Sequence, residues 1–392
     1  MTIVDIALFP RKIITGEGSV NGLSGLITQF KPSKAVLFAD PILLELGMTS
    51  RIESILNENN VPYLVFSEIK PEPPIELGDK AVQAVRDFEA DMVIGIGGGS
   101  CLDCAKVAAV LARNEGSVSD YLNLTGTKKL TNSGITKILL PTTAGTGAEV
   151  TTNAVFSLGH TKDIISDEHL IADVAIVDPE FTYTMPPRVT AASGVDALTH
   201  AIESYTSKGA TELTDALALD AVTKINRSLR TAVWNGSDRK ARGEMAWGSL
   251  IASLSYFNSG VHAVHALAYP LGGLFKLPHG ESNAVLLPYL FDHIWPACMP
   301  KMKRLAEALE LPLSGKSDRD AALAVVKYLQ DIVRDVGLPT TLQGYGIQES
   351  DLEQLTKDAI EQKRLLGRCP KSLKALDILS VYKAAYEGKL NQ

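Results

Sequence analysis

Residues 91–100 read Asp91-Met-Val-Ile-Gly-Ile-Gly-Gly-Gly-Ser100: a short apolar run that ends in a glycine turn. Leu102 to Arg113 follows with the pattern of a helix. A buried-type strand, a glycine turn and a helix in succession are the opening of a βαβ unit. The turn lets backbone amides approach a pyrophosphate, and the helix N-terminus favours its negative charge. The spacing is not GxGxxG and no Lys-Ser/Thr pair follows, so the segment is not a P-loop. A turn with a purely structural role is the competing reading.

Working outward, further strands are expected in 34–40 (KAVLFAD), 62–67 (PYLVFS), 136–141 (TKILLP) and 172–179 (ADVAIVDP), with a helix over 75–90. Strands alternating with helices imply a largely parallel sheet. After Met185-Pro186-Pro187 the character changes. Ala/Leu-rich helical patterns cover 190–207, 211–235, 240–259, 301–311, 319–336, 350–364 and 374–387. Paired prolines interrupt regular structure. The expected organisation is an α/β domain over 1–187 with a parallel sheet, followed by an all-helical domain over 188–392.

The 392-residue chain is 45% hydrophobic and 21% charged, ordinary for a globular protein with a substantial core. A net charge of −7 argues against nucleic acid as a partner. No apolar run reaches the length of a membrane span, and the N-terminal residues do not read as a signal peptide. Four cysteines are few and suit a reducing compartment, so the cytoplasm is the expected location. Cys101 and Cys104 form a CxxC with no partner pair, and read as small helix residues.

Two features add to the nucleotide reading. Asp40 ends its strand, where a carboxylate accepts hydrogen bonds from an adenosine ribose and repels a 2′-phosphate, which favours NAD over NADP; a turn or helix cap is the alternative. Residues 141–149 (PTTAGTGAE) form a second loop of small and hydroxyl residues after a strand. Open α/β sheets bind ligands at such strand ends.

The second half carries a different pattern. Asp196 and His200 lie four apart in a helical stretch, hence on one face. His265 and His279 lie fourteen apart, with Pro278 and Gly280 suggesting a turn that aims His279. Three of seven histidines fall in this scheme. One carboxylate and three imidazoles suit Fe²⁺ or Zn²⁺. His262, three before His265, is a candidate to reach substrate or cofactor, with a packing role as the alternative.

Taken together, GIGGGSCLDCAK, LPTTAGTGAEVT, AASGVDALTHAIESY and HALAYPLGGLFKLPHGESNAVLLPY, in that order, resemble the iron-containing (group III) alcohol dehydrogenase family over essentially the whole chain. The resemblance implies the dehydroquinate synthase-like architecture of an N-terminal dinucleotide domain and a helical domain, with the site in the cleft between them. It implies Asp196, His200, His265 and His279 as ligands, usually of Fe²⁺. It implies Gly97, Gly98, Gly99, Ser100 and Asp103 on the pyrophosphate and nicotinamide side of NAD(H). Thr142, Thr143 and Thr146 would line the cofactor, Asp40 would hold the ribose, and Lys162 would be a further contact. Dimers are common in such families. Many members carry a histidine where this chain has Tyr269, four residues after the third ligand; a tyrosine there can still hydrogen-bond a substrate oxygen or relay a proton.

The expected function is therefore metal-dependent hydride transfer between NAD(H) and a small primary alcohol or aldehyde, in the direction of aldehyde reduction. His262, His265 and Tyr269 are the candidate catalytic side chains. The alternatives are a hydroxyacid–oxoacid transhydrogenase and a reductase of an anionic aldehyde such as sulfoacetaldehyde or phosphonoacetaldehyde. A cyclase would need a dense basic cluster, which Lys276, Arg364, Arg368 and Lys371 do not make.

Overall fold

The computed structural model describes residues 5–158 and 161–390. Leu8–Tyr183 forms one compact unit; residues 5–7 group with Thr184 onwards in the second. The division falls before the 187/188 boundary expected from the prolines. Arg242 explains the difference, because Nη2 donates to the Met185 carbonyl, while the Thr190 amide and hydroxyl donate to the Pro186 carbonyl. The residues ahead of the first long helix are thus tied to the helical unit.

The first unit contains strands β1 (Lys12–Thr15), β2 (Ala35–Ala39), β3 (Tyr63–Phe66), β4 (Met92–Gly97), β5 (Thr136–Pro141), β6 (Asn153–Leu158), β7 (Thr161–Ser166) and β8 (Val174–Val177). Its main helices are α1 (Gly22–Phe30), α2 (Pro41–Glu45), α3 (Ser50–Glu58), α4 (Ile75–Asp87) and α5 (Gly99–Leu111). Six strands make a parallel sheet in the order β1-β8-β5-β4-β2-β3, and β6 and β7 form an antiparallel pair. Alternate residues of each central strand enter two separate cores. Val36, Phe38, Val93 and Leu139 pack with α4 and α5 residues such as Val82, Val85, Leu102 and Ala105. Leu37, Ile94, Ile96, Ile138 and Leu140 pack with Leu23, Leu26, Ile52 and Leu56 of α1 and α3. Burial on both faces is why these strands read as continuous apolar runs instead of alternating ones.

The strand order also locates a ligand crevice. From β2 the chain moves outward to β3; from β4 it moves the other way, to β5. The carboxyl ends of β2 and β4 therefore flank a topological switch point, where open α/β sheets bind ligands. Asp40 and Gly97-Gly98 lie at those two ends.

The second unit is helical: α6 (Pro187–Thr206), α7 (Glu212–Trp234), α8 (Arg239–Ser259), α9 (Ala263–Phe275), α10 (His279–Ile294), α11 (Met299–Ala308), α12 (Asp318–Asp335), α13 (Leu352–Ile360), α14 (Lys363–Leu366) and α15 (Ala375–Glu387). Helices α9 and α10 go beyond the sequence reading. Each carries an internal proline, Pro270 and Pro288, which obscures the pattern. The turn expected at His279 is instead a helix start, with Pro278 at the N-cap and His279 the first residue of α10. Among the described residues no helix is long and apolar enough to cross a membrane.

Candidate metal and nucleotide sites

In the helical unit, α6 supplies Asp196 and His200, α9 supplies His265 and α10 supplies His279. One ligand atom from each lies within 4.8 Å of the others. Asp196 Oδ1 is 3.9 Å from Nε2 of His200 and of His265, and 3.7 Å from Nε2 of His279. Asp196, His200 and His265 are buried, while the His279 side chain is 34% exposed, so the cluster is open on the His279 side. The imidazole of His200 stacks on Tyr256 and on His265, at 4.1 and 4.8 Å between centroids. Burial would raise the Asp196 pKa, but the three imidazoles and the Asn283 amide outweigh it and hold the carboxyl below its ordinary range. The site thus keeps one carboxylate facing three imidazole nitrogens, which is a donor set a divalent transition metal takes.

Two further side chains complete this cluster, and neither is among the residues expected from sequence. Glu203, fully buried on α6, accepts from His265 Nδ1 (2.6 Å) and from the Val264 amide (2.6 Å). The proton on Nδ1 leaves the Nε2 lone pair of His265 directed at the cluster. Asn283, on α10, places its amide nitrogen 2.7 Å from Asp196 Oδ1. Both lie in register with a candidate ligand: Glu203 three residues after His200, and Asn283 four after His279. That helical spacing is the signal that would have found them.

His262 does not reach outward as expected for a residue touching substrate or cofactor. It is fully buried; its Nε2 bonds the Thr206 hydroxyl at 2.9 Å, and its Nδ1 lies 3.0 Å from Glu203 Oε1, close but off the line of a hydrogen bond. Burial works against charge on this ring, but the adjacent Glu203 carboxylate outweighs it and pushes the pKa up to about 10. Glu203 is correspondingly held well below the usual carboxylate range. His262 therefore supports Glu203 from behind. Tyr269 sits beside the cluster, its ring 6.3 Å from that of His279, and burial raises its pKa, so the phenol keeps its proton. Lys276 donates to the Gly273 carbonyl at 3.1 Å and closes the end of α9.

In the α/β unit, the Gly98 amide donates to Asp40 Oδ2 at 2.9 Å, across the switch point. Asp40 is not a free carboxylate; burial raises its pKa, and the Gly98 bond opposes that rise. Gly97 and Gly99 are required by close approach. A Cβ on Gly97 would lie 2.6 Å from Asp40 Oδ2 and from Cys101 Cβ, and one on Gly99 would lie 2.9 Å from Thr146 Oγ1. The second loop is thus packed directly on the glycine turn, and the Thr142 amide donates to the Gly97 carbonyl at 3.1 Å; Thr143 approaches Gly98. Ser100 Oγ accepts from the Glu72 amide (3.3 Å), and Glu72 pairs with Lys162 at 2.6 Å, which sets Lys162 near the same turn. Asp103 has both oxygens engaged, by the Val155 amide (3.0 Å) and by buried Lys106 (2.9 Å), and so ties α5 to β6. Cys101 and Cys104 are buried and unbridged, as small helix residues.

The family models agree with both halves. Residues 10–179 match the model described as iron-containing alcohol dehydrogenase, and 190–386 match the Fe-containing alcohol dehydrogenase family, C-terminal. The chain belongs to the iron-containing alcohol dehydrogenase family. It is an oxidoreductase of that class. Among its relatives, long-chain-alcohol dehydrogenase 1 of Geobacillus thermodenitrificans (strain NG80-2) is 50% identical over 98% of this chain and 97% of its own. A solved 1,3-propanediol oxidoreductase superposes with a TM-score of 0.94 at 31% identity, covering 98% of this chain and all of its own. Sulfoacetaldehyde reductase from Bifidobacterium kashiwanohense, solved in complex with NAD⁺, superposes with a TM-score of 0.89 at 26% identity, covering 99% and 100%. The parallel sheet and helical unit of this iron-type dehydrogenase are thus the family's architecture.

Proposed function

We propose that this chain transfers hydride between NAD(H) and a primary alcohol or aldehyde, with Fe²⁺ or another divalent metal held by Asp196, His200, His265 and His279. The observation that carries the reading is the convergence of those four ligand atoms within 4.8 Å, backed by a buried carboxylate on His265. The metal would supply Lewis-acid polarisation of the alcohol or carbonyl oxygen, and the nicotinamide would give or take the hydride.

The chain's own residues supply the rest. Glu203 orients His265, and the low pKa of Asp196 keeps its carboxylate ionised. Tyr269, whose ring lies 6.3 Å from that of His279 and whose phenol keeps its proton, would donate a hydrogen bond to a substrate oxygen. Gly97, Gly98 and Gly99 keep the turn free of side-chain bulk, so that it and Ser100 would take a pyrophosphate, with Thr142, Thr143 and Thr146 along the second loop and Lys162 beside the turn. Asp40 at the end of β2 favours a ribose hydroxyl over a 2′-phosphate, hence NAD. The NAD⁺ complex of the similar sulfoacetaldehyde reductase supports this cofactor.

The working direction we propose is aldehyde reduction. The half-identical long-chain-alcohol dehydrogenase extends the substrate class from the small alcohols expected to longer alkyl chains. We also propose a cytoplasmic homodimer or higher homo-oligomer. The test is initial-rate NADH oxidation against aldehydes from two carbons to long chains, anionic ones included. Anaerobically prepared apo-protein is used with Fe²⁺, Zn²⁺ or no metal. Metal-dependent NADH loss is expected, and His265→Ala is expected to lose metal and turnover together. Stoichiometric metal with no NADH loss on any aldehyde would overturn the reading, and turnover without added NAD would favour a transhydrogenase.

A further inference from the structure

Asn283 is fully buried on α10, one helical turn after His279. Its Nδ2 lies 2.7 Å from Asp196 Oδ1, 3.1 Å from His265 Nε2 and 3.3 Å from His279 Nε2. An amide has two hydrogens for these three acceptors, and the shortest contact is to the carboxylate. The opposite end, Asn283 Oδ1, is buried with no hydrogen-bond partner. Exchanging the two ends would set an amide oxygen against a carboxylate oxygen and against the Nε2 lone pair of His265. The nitrogen therefore faces inward, although this leaves the carbonyl unsatisfied. A buried acceptor left bare is uncommon, and here it follows from what the other end of the same group must do.

The oxygen that Asn283 bonds is also the one that all three imidazoles surround, at 3.7 to 3.9 Å. We propose that Asn283 is the positioning residue of the metal carboxylate: its N–H group fixes Asp196 Oδ1 as the oxygen presented to the cation. Without that bond the carboxylate is free to rotate about its last torsion and turn away from the imidazoles. Ligating carboxylates are commonly held in this manner, and loss of such a partner weakens metal binding about 10–100-fold. Asn283 does for Asp196 what Glu203 does for His265. The inference rests on the metal reading of the four-residue cluster.

The experiment compares metal affinity, by chelator competition with Zn²⁺ and with Co²⁺, in the full-length chain and in Asn283→Leu, Asn283→Ala and Asn283→Ser. Leucine keeps the volume without a donor, alanine leaves a gap, and serine restores a short donor. Leucine and alanine are expected to weaken binding about 10–100-fold and to alter the Co²⁺ absorption spectrum, with serine recovering part of the loss over alanine. An unchanged far-UV circular dichroism spectrum would show that the fold is intact. A leucine variant within twofold of the parent would overturn the role of Asn283, since filling the volume would then suffice. If leucine does not fold, serine no better than alanine would overturn it equally. A parent chain that takes up no equivalent of either metal would instead overturn the metal reading itself.

Discussion

Glu203 shows how much a single side chain decides here. It accepts from His265 Nδ1 and from the Val264 amide, and lies against His262 Nδ1. Glu203→Gln puts an NH₂ group where one of these donors now points. Metal affinity is expected to fall about 10–100-fold, read by chelator competition; an affinity equal to that of the parent would refute the role. Asp40 belongs to the same scale. Replacing it by glycine removes the charge that opposes a 2′-phosphate, so the ratio of kcat/KM with NADPH to that with NADH should rise at least about tenfold, or about 1.4 kcal/mol. Steady-state kinetics with both cofactors would check this. Asp196, His200, His265 and His279 were legible from residue type and spacing. Glu203 and Asn283 show only in their helical spacing from His200 and His279, since a buried glutamate or asparagine has no composition signal of its own, and of the two readings open for His262 the buried ring on Thr206 fits the packing one.

At the scale of elements, the glycine turn between β4 and α5 is shaped by clearance. Gly97→Ala brings a methyl to 2.6 Å from Asp40 Oδ2 and from Cys101 Cβ. Overpacking of this kind costs about 1–3 kcal/mol, and it should raise the KM for NADH more than it lowers kcat. Thermal unfolding and cofactor titration together would test it; an unchanged KM would show that the turn does not serve the cofactor. The sheet strands β2, β4, β5 and β8 could be read from their apolar runs because both faces are buried, whereas β3, a half-exposed edge strand, was legible from its apolar residues alone. β1, whose two isoleucines are flanked by exposed Lys12 and Thr15, lacks that signal, and so do β6 and β7, whose partly exposed residues interrupt it. Helices α9 and α10 were hidden by their own prolines, although they carry His265 and His279.

For the molecule as a whole, one buried acid sets a pH dependence. Burial raises the Glu149 pKa to about 7 from an ordinary 4.5, against the opposing effects of its backbone hydrogen bond and of Lys106. Between these values the folded chain holds a proton that the unfolded chain has released. Stability therefore falls as pH rises from 4.5 to 7 and levels off above. Glu149→Gln should remove that slope, so its stability relative to the parent improves by about 3 kcal/mol between pH 4 and pH 8. Denaturant unfolding across this range checks it, and parallel pH profiles for the two proteins would contradict it.

The placement of all four proposed metal ligands in one unit has a consequence for biosynthesis. β1 cannot find its neighbour β8 until residue 177 has been made, so the parallel sheet closes late, yet still before any ligand exists. His279 follows Tyr183 by roughly 100 residues, or about 5–20 s at typical translation rates. The nucleotide-binding half thus has time to fold on the ribosome while the metal site is still being translated, and metal acquisition becomes a closing act of synthesis.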